Sequence, residues 1–112
     1  MKYTLLLFAS CILFMSSCKK ESIYTEDCSG TAKSFAMDVN PIVQTSCSGS
    51  SSCHASGSSQ GPGALLTYAQ ISGSKSSIKR TVANGEMPQG STLTSDQKNA
   101  IICWINNGAP NN

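Results

Sequence analysis

The stretch TSCSGSSSCHASG, residues 45–57, carries two cysteines and the only histidine of this 112-residue chain. Five residues, all Ser or Gly, separate Cys47 from Cys53, and His54 follows the second cysteine directly. Ser/Gly runs without apolar periodicity are typical of loops. A lone histidine is usually just a hydrogen-bonded or surface residue, but the position of His54 directly after Cys53 marks it as a candidate ligand.

The order Cys, Cys, His is the order that covalent haem attachment requires. Two thiols add across the two vinyl groups, and the imidazole after the second thiol reaches the iron. The usual pattern is C-x-x-C-H, whereas the spacer here is three residues longer. A Ser/Gly insert that bulges outward would leave both sulfurs within reach of one porphyrin. Disulfide bonding stays open at this point, because short cysteine pairs in exported proteins are usually disulfides.

The N-terminal segment, MKYTLLLFASCILFMSSC, indicates export. Lys2 precedes an apolar run of eleven residues, 5–15, which is too short to cross about 30 Å of hydrocarbon as a helix. The segment is typical of a bacterial lipoprotein signal over residues 1–17, with Cys18 as the lipidated first residue of the mature chain and 18–33 as a polar tether. An ordinary secretory signal with a structural Cys18 is the alternative. We expect a lipid-anchored protein on the periplasmic or outer cell-surface side of a membrane.

The mature chain, residues 18–112, suits one small domain. Chains of this length bury a limited core and often need disulfides or a cofactor. Seven basic and six acidic residues nearly cancel, so that nothing indicates binding to nucleic acid. No carboxylate pair, Ser/His/Asp set or phosphate loop is present, and the sequence predicts no enzyme.

Four cysteines remain in the mature chain after Cys18: Cys28, Cys47, Cys53 and Cys103. They allow three disulfide pairings if no cofactor is present. If haem takes Cys47 and Cys53, the remainder is Cys28 with Cys103, and their bridge would contribute about 4 kcal/mol on the chain-entropy account. The alternative is a haem-free knot, in which Cys28 and Cys103 pair with the two loop cysteines.

Apolar periodicity predicts an all-α domain of three or four short helices with Gly/Ser-rich loops. Around residues 34–46 the apolar side chains recur at i, i+4, i+7 and i+8, with Ser34 as a candidate N-cap. Pro41 would either start a second short helix or kink a longer one. Further short helices are predicted at 67–71 and around 75–83, where Asn84-Gly85 is a stop signal.

The last helix has the clearest signals. Thr94 and Gln97 form a capping box pattern, and Asp96 in the first turn complements the helix dipole. An apolar stripe follows at Ala100, Ile101, Trp104 and Ile105. Asn107-Gly108 ends the helix, and Pro110 cannot continue it.

The order of these pieces resembles a small class I c-type cytochrome, of the type found in exported bacterial proteins. The resemblance covers about residues 34–110 and includes the following pieces: DVNPIV at 38–43, Cys47, Cys53 and His54, LLTY at 65–68, Met87-Pro88, and CWINNGA at 103–109. It implies one covalent haem c, with thioethers to Cys47 and Cys53, His54 as proximal ligand and Met87 as distal ligand. It also implies that the first and last helices cross, with Phe35 and Trp104 near their contact.

The function implied by this resemblance is electron transfer between redox partner proteins by a membrane-tethered monohaem cytochrome. The alternative is a haem-free, disulfide-stapled lipoprotein that binds a partner. A zinc site is a more distant alternative, because adjacent Cys53 and His54 rarely ligate the same zinc ion. Met37 is the other methionine of the mature chain and the less suitable ligand, since it falls on the helix before the cysteines.

Overall fold

The computed structural model of the chain describes residues 24–112. The predicted signal peptide, 1–17, and the predicted lipidation site, Cys18, lie outside the described residues. All regular structure within 24–112 is helical, and no strand occurs there, which confirms the predicted all-α class. None of the helices in this part of the chain combines the length and the apolar character needed to cross a membrane.

Five helical segments make up the domain. They are a π-helical turn at Phe35–Val39, α1 at Asn40–Ser46, α2 at Tyr68–Gly73, α3 at Lys75–Ala83 and α4 at Ser95–Asn106. The first helix, composed of the π-helical turn and α1, packs against α4, and α3 packs against α4 as well. The 21 residues between α1 and α2 form a long loop without regular structure.

The first helix is continuous, with Pro41 in the first turn of α1. Ser34 caps its start, since the Ser34 side chain accepts a hydrogen bond from the Met37 backbone N–H at 3.0 Å. Pro41 has no N–H to donate, so the ladder of hydrogen bonds is interrupted at this point. The backbone adapts with a wider turn, in which Asn40 N–H bonds to the Phe35 carbonyl. Of the two predicted outcomes for Pro41, the structure has the longer helix with a local distortion.

The other helix boundaries follow the sequence signals. Thr67 and Thr94 each form a complete capping box, with Gln70 and Gln97 respectively. Asn84 ends α3, and the following Gly85 has a φ of +79°, a left-handed conformation that favours glycine. The predicted short helices and the predicted capping box of Thr94 and Gln97 are therefore present, whereas α3 begins without a side-chain cap.

Three aromatic side chains join the helices in the core. The Phe35 ring centroid lies 5.6 Å from that of Trp104 and 5.2 Å from that of Tyr68. Tyr68 donates its hydroxyl proton to the Ala109 carbonyl at 2.9 Å, and Trp104 Nε1 donates to the Pro110 carbonyl at 2.8 Å. The two hydrogen bonds join the C-terminal residues to α2 and α4, and the ring contact confirms that Phe35 and Trp104 meet where the first helix packs against α4.

The segment 24–28, here called the strap, is fastened along the outer face of α4. Cys28 and Cys103 form a disulfide, as predicted for the case in which haem takes the loop cysteines. Asn99, one turn before Cys103, accepts hydrogen bonds from the Tyr24 hydroxyl at 2.5 Å and from the Asp27 backbone N–H at 3.1 Å. Asn106, one turn after Cys103, donates to Glu26. The described end of the predicted tether therefore lies on the domain.

Candidate functional site

One crevice collects the four residues that the sequence analysis assigned to the site. Cys47, Cys53, His54 and Met87 all line it, although Met87 is separated from the cysteine loop by the whole of α2 and α3. The crevice itself is narrow, with a cavity volume of about 90 Å³.

The walls of this crevice are mainly apolar side chains supplied by different helices. They are Val43 from α1, Leu65 from the long loop, Ile78 and Val82 from α3, and Ile101 from α4. All five are buried. An apolar lining of this kind favours a largely apolar ligand, because ligand burial is favourable where the surrounding surface is apolar.

His54 is oriented by its backbone and by one side-chain hydrogen bond. The residue is only 5% exposed, and Nδ1 lies 2.8 Å from the Gly63 carbonyl oxygen. A carbonyl oxygen only accepts, so Nδ1 carries the proton, and Nε2 keeps a lone pair for a ligand bond. Such a second hydrogen bond is how a metal-ligating histidine is usually held in one tautomer and one orientation.

The cysteine loop, residues 47–54, is closed at its base. The His54 backbone N–H bonds to the Cys47 carbonyl at 3.0 Å, so the first and last residues of the loop are neighbours despite the long spacer. Gly49, Ser50, Ser51 and Ser52 between them are exposed. The extra residues therefore lie on the outside, and both cysteines stay at the crevice.

Cys47 and Cys53 are both free thiols. The disulfide arrangement therefore differs from the haem-free knot, in which Cys28 and Cys103 would each form a disulfide with one of these two cysteines. Burial raises the pKa of the Cys47 thiol, and the neighbouring Cys53 raises it further. Two thiols at the wall of one crevice are what two thioether bonds to a single ligand would require.

Met87 also lines the crevice, from the loop that follows α3. Its backbone N–H bonds to the Thr81 carbonyl at 3.0 Å, so the end of α3 fixes the position of the loop. Pro88, the next residue, is buried and also lines the crevice. Met37, in contrast, is 80% exposed on the first helix and is not among the lining residues.

Two positioning groups were missed by the sequence analysis: the carbonyl of Gly63, which holds His54, and the carbonyl of Thr81, which holds Met87. Every residue has a backbone carbonyl, so the amino-acid sequence did not indicate that the carbonyl of Thr81 has this role. The run Gly61-Pro62-Gly63 did carry a signal, because closely spaced Gly and Pro mark a tight turn. Gly63 has a φ of +94°, as such a turn requires.

Comparison of the chain with protein-family models, with curated proteins and with solved structures gives no match. Within residues 24–112, no three or more His, Cys, Asp or Glu side chains gather in a group that could hold a metal ion. His54 and Met87 are only two residues, and methionine is not among these residue types, so this finding does not concern them. The assignment of the crevice therefore depends on its own geometry.

Proposed function

We propose that the mature chain is a monohaem cytochrome c that transfers single electrons between redox partner proteins. One observation carries the proposal: two thiols, a histidine with a free Nε2 and a methionine line a single apolar crevice. The four side chains come from two separate stretches of sequence, and the fold brings them to one place. This donor set matches haem c, which is held by two cysteines and by axial nitrogen and sulfur ligands.

The residues present fit haem c in chemical type and in the character of their surroundings. Cys47 and Cys53 would hold the group through thioethers, and His54 Nε2 and the Met87 sulfur would ligate its iron. When bound, the group supplies a one-electron couple. The neutral thioether of Met87 favours the reduced state, so His/Met ligation gives a higher reduction potential than two histidines.

The protein contributes orientation and the exclusion of water. The hydrogen bond to the Gly63 carbonyl fixes both the tautomer and the orientation of the His54 ring. The ring therefore does not have to be reoriented when Nε2 binds a ligand. Buried Val43, Val82 and Ile101 keep the crevice interior apolar. The Cys28–Cys103 disulfide and the aromatic contacts of Trp104 restrain α4, which supplies one of these walls.

We further propose that lipid on Cys18 holds this domain at a membrane face, on the periplasmic or outer cell-surface side. The sequence supports this through the signal segment and the cysteine at its end. The chain would then meet its redox partners at the membrane surface. The proposal includes no catalytic reaction and no nucleic acid.

Haem staining tests the proposal directly. Protein produced together with a c-type maturation system should give a haem-stained band on a denaturing gel, and the reduced protein should show the absorption bands of haem c. The double variant Cys47→Ser/Cys53→Ser should lose the stained band, because no thioether can form. Met37→Ala is the matched control and should keep it.

A colourless wild-type protein without a stained band would refute the cytochrome proposal. Peptide mapping without reduction would then decide what remains. A fragment that links Cys47 to Cys53 would favour the haem-free, disulfide-stapled lipoprotein as a binding module, because a thiol in a disulfide forms no thioether.

A further inference from the structure

The strap shortens the free part of the predicted tether. The sequence predicts a polar tether over residues 18–33, but the structure fastens residues 24–28 to α4 through a disulfide and hydrogen bonds. Only residues 18–23 lie between the proposed lipid on Cys18 and this fastened part. From Cys18 to Tyr24 the chain spans at most about 22 Å, whatever its conformation, because each residue adds at most about 3.6 Å.

The strap occupies one side of α4. Its partners there are Asn99, Cys103 and Asn106, which follow each other at i, i+4 and i+7. Residues with this spacing lie on the same side of an α-helix. The strap is thus fastened along about two turns of α4, and not at the disulfide alone.

The crevice lies on the opposite side of α4. Ile101 is the one residue of α4 that lines it, and Ile101 is buried. Ile101 is two residues from both Asn99 and Cys103, and two residues along an α-helix turn by about 200°. The exposed lining residues, which form the mouth, all come from loops: Ser52, Cys53, Gln60, Gly61, Pro62 and Gln89. The crevice therefore opens away from α4 and away from the strap.

A second groove, on the strap side of α4, confirms this separation. Its lining includes Cys28 and Lys33 from the segment before the first helix, and Asp96 and Asn107 from the two ends of α4. This groove has no lining residue in common with the crevice. The surface where the tether arrives is therefore distinct from the surface where the crevice opens.

The free tether is shorter than the domain. A compact domain of the size of residues 24–112 is about 30 Å across. If the crevice faced the bilayer, the strap would lie on the far side of the domain, and the tether would have to pass around the whole domain to reach the lipid. A reach of about 22 Å is too short for that path.

We propose that the fastened strap orients the domain at the membrane, so that the crevice opens toward the aqueous side and redox partners reach it from there. The inference rests on the proposed function, because it requires the lipid on Cys18. The disulfide keeps the tether short. With the strap unfastened, the chain from Cys18 to the first helix at Phe35 would span up to about 60 Å, and the domain could turn any side to the membrane.

Paramagnetic broadening of NMR signals measures which side of the domain faces the membrane. The haem-loaded, lipidated protein is placed in phosphatidylcholine nanodiscs that contain a small fraction of lipid with a gadolinium chelate on its headgroup. The same nanodiscs with diamagnetic lutetium give the reference intensities. In the wild-type protein the amide signals of Ser29 and Thr31, on the strap side, should broaden at least about threefold more than those of Ser52 and Gln60, because about 30 Å of protein separates the two sides.

Two variants lengthen the free tether in different ways. An insertion of about 15 Gly/Ser residues after Ile23 leaves the strap fastened and adds a flexible chain. Cys28→Ser/Cys103→Ser removes the covalent bond that fastens the strap. In each variant the ratio of broadening between the two sides should fall below about 1.5, because a long flexible tether no longer restricts the orientation of the domain.

Equal broadening of the two sides in the lipidated wild-type protein, or an unchanged ratio in either variant, would overturn the inference. The intact mass shows whether the protein carries lipid and haem, so these results would leave the proposed function standing. Cys18→Ala protein is the control and should show no broadening on either side. A wild-type protein that carries no lipid and behaves like this control would instead refute the proposed membrane attachment, and the inference with it.

Discussion

At the scale of single residues, His54 shows how one backbone carbonyl selects among the states of a side chain. An isolated imidazole has two tautomers and several orientations. The Gly63 carbonyl accepts the proton of Nδ1, and burial removes competing water. Nε2 is the nitrogen left for a ligand, and the crevice is the space that His54 lines.

The first prediction concerns the two methionines. Met87→Ala should abolish the weak sulfur-to-iron band near the red end of the visible spectrum and lower the reduction potential by on the order of 0.1 V, since axial ligands set haem potentials over about 0.8 V. The covalent haem should remain. Absorption spectroscopy and potentiometric titration measure both effects.

Met37→Ala is the control for this prediction, because its side chain is 80% exposed and lies outside the crevice. It should leave the band and the potential unchanged. If the band persists in both variants, some other residue ligates the iron, and the assignment of Met87 is wrong.

The four side chains that the sequence predicted for the site line one crevice, whereas the backbone groups that position two of them were not predicted. Cys47, Cys53, His54 and Met87 stand out because thiol, imidazole and thioether groups have distinctive chemistry. The carbonyls of Gly63 and Thr81 belong to the backbone, which every residue has. Their roles follow only from the path of the chain.

At the scale of secondary structure, short helices depend on their ends. A helix of six to twelve residues leaves a large share of its backbone N–H and C=O groups without partners inside the helix. Thr67 and Thr94 satisfy two of these donors in each capping box, with the help of Gln70 and Gln97. α4 has the additional benefit of Asp96 in its first turn, where a negative charge complements the helix dipole.

The second prediction tests the cap of α4. Thr94→Ala removes the hydroxyl that accepts the Gln97 N–H at 3.2 Å and should lower the free energy of unfolding by about 1 kcal/mol. Urea denaturation monitored by circular dichroism measures the change. Thr92→Ala, at an exposed position outside the helix, should change it by less than about 0.5 kcal/mol. Equal effects of the two substitutions would contradict the role of the cap.

Helix boundaries were predictable from the sequence wherever the signal is local. Capping boxes and Asn-Gly stops act within one turn, so their residues alone determine the outcome. Pro41 is the exception, because a proline is compatible both with the start of a helix and with a distortion inside one. The contact of the first helix with α4 lies outside the local sequence, and the pattern left both outcomes open.

At the scale of the whole molecule, the third prediction concerns the strap. Cys28→Ser/Cys103→Ser opens a bridge between residues 75 apart and should lower the free energy of unfolding by about 4 kcal/mol, because the unfolded chain gains conformational freedom. Denaturation of the haem-loaded protein measures this loss, and the haem bands of the folded protein should be unchanged. A loss below about 1 kcal/mol would contradict the chain-entropy account of this bridge.

The fourth prediction concerns attachment to a membrane. Cys18→Ala removes the thiol that we propose to be lipidated, and the variant should move from the membrane fraction to the soluble exported fraction. Two or more acyl chains anchor stably, whereas one binds only marginally. Cys11→Ala, within the predicted signal peptide, is the control and should stay with the membrane. Cys18→Ala protein that still sediments with membranes would contradict lipid anchoring.

The overall arrangement was predictable in part. The disulfide pairing followed once two cysteines were set aside for a cofactor, so it depended on the interpretation of the loop. The convergence of Met87 and His54 was expected only from the family resemblance, because no local pattern relates residues on either side of two helices. For the strap, only the disulfide to α4 was predicted, and its hydrogen bonds to α4 were not.

The closed base of the cysteine loop has a consequence for how such sites are recognised. A sequence pattern fixes the number of residues between two cysteines, and so the length of the chain that joins them. Whether both thiols can bond to one ligand depends instead on the distance between them in space. In this chain the His54 N–H and the Cys47 carbonyl are hydrogen-bonded, so the ends of the loop are close together although five residues separate the two cysteines. Shortening the loop by deletion of Gly49, Ser50 and Ser51 would restore the common two-residue spacing. A sequence search that allows a variable number of residues between the two cysteines, and requires a histidine directly after the second one, would find chains that a search with fixed spacing misses.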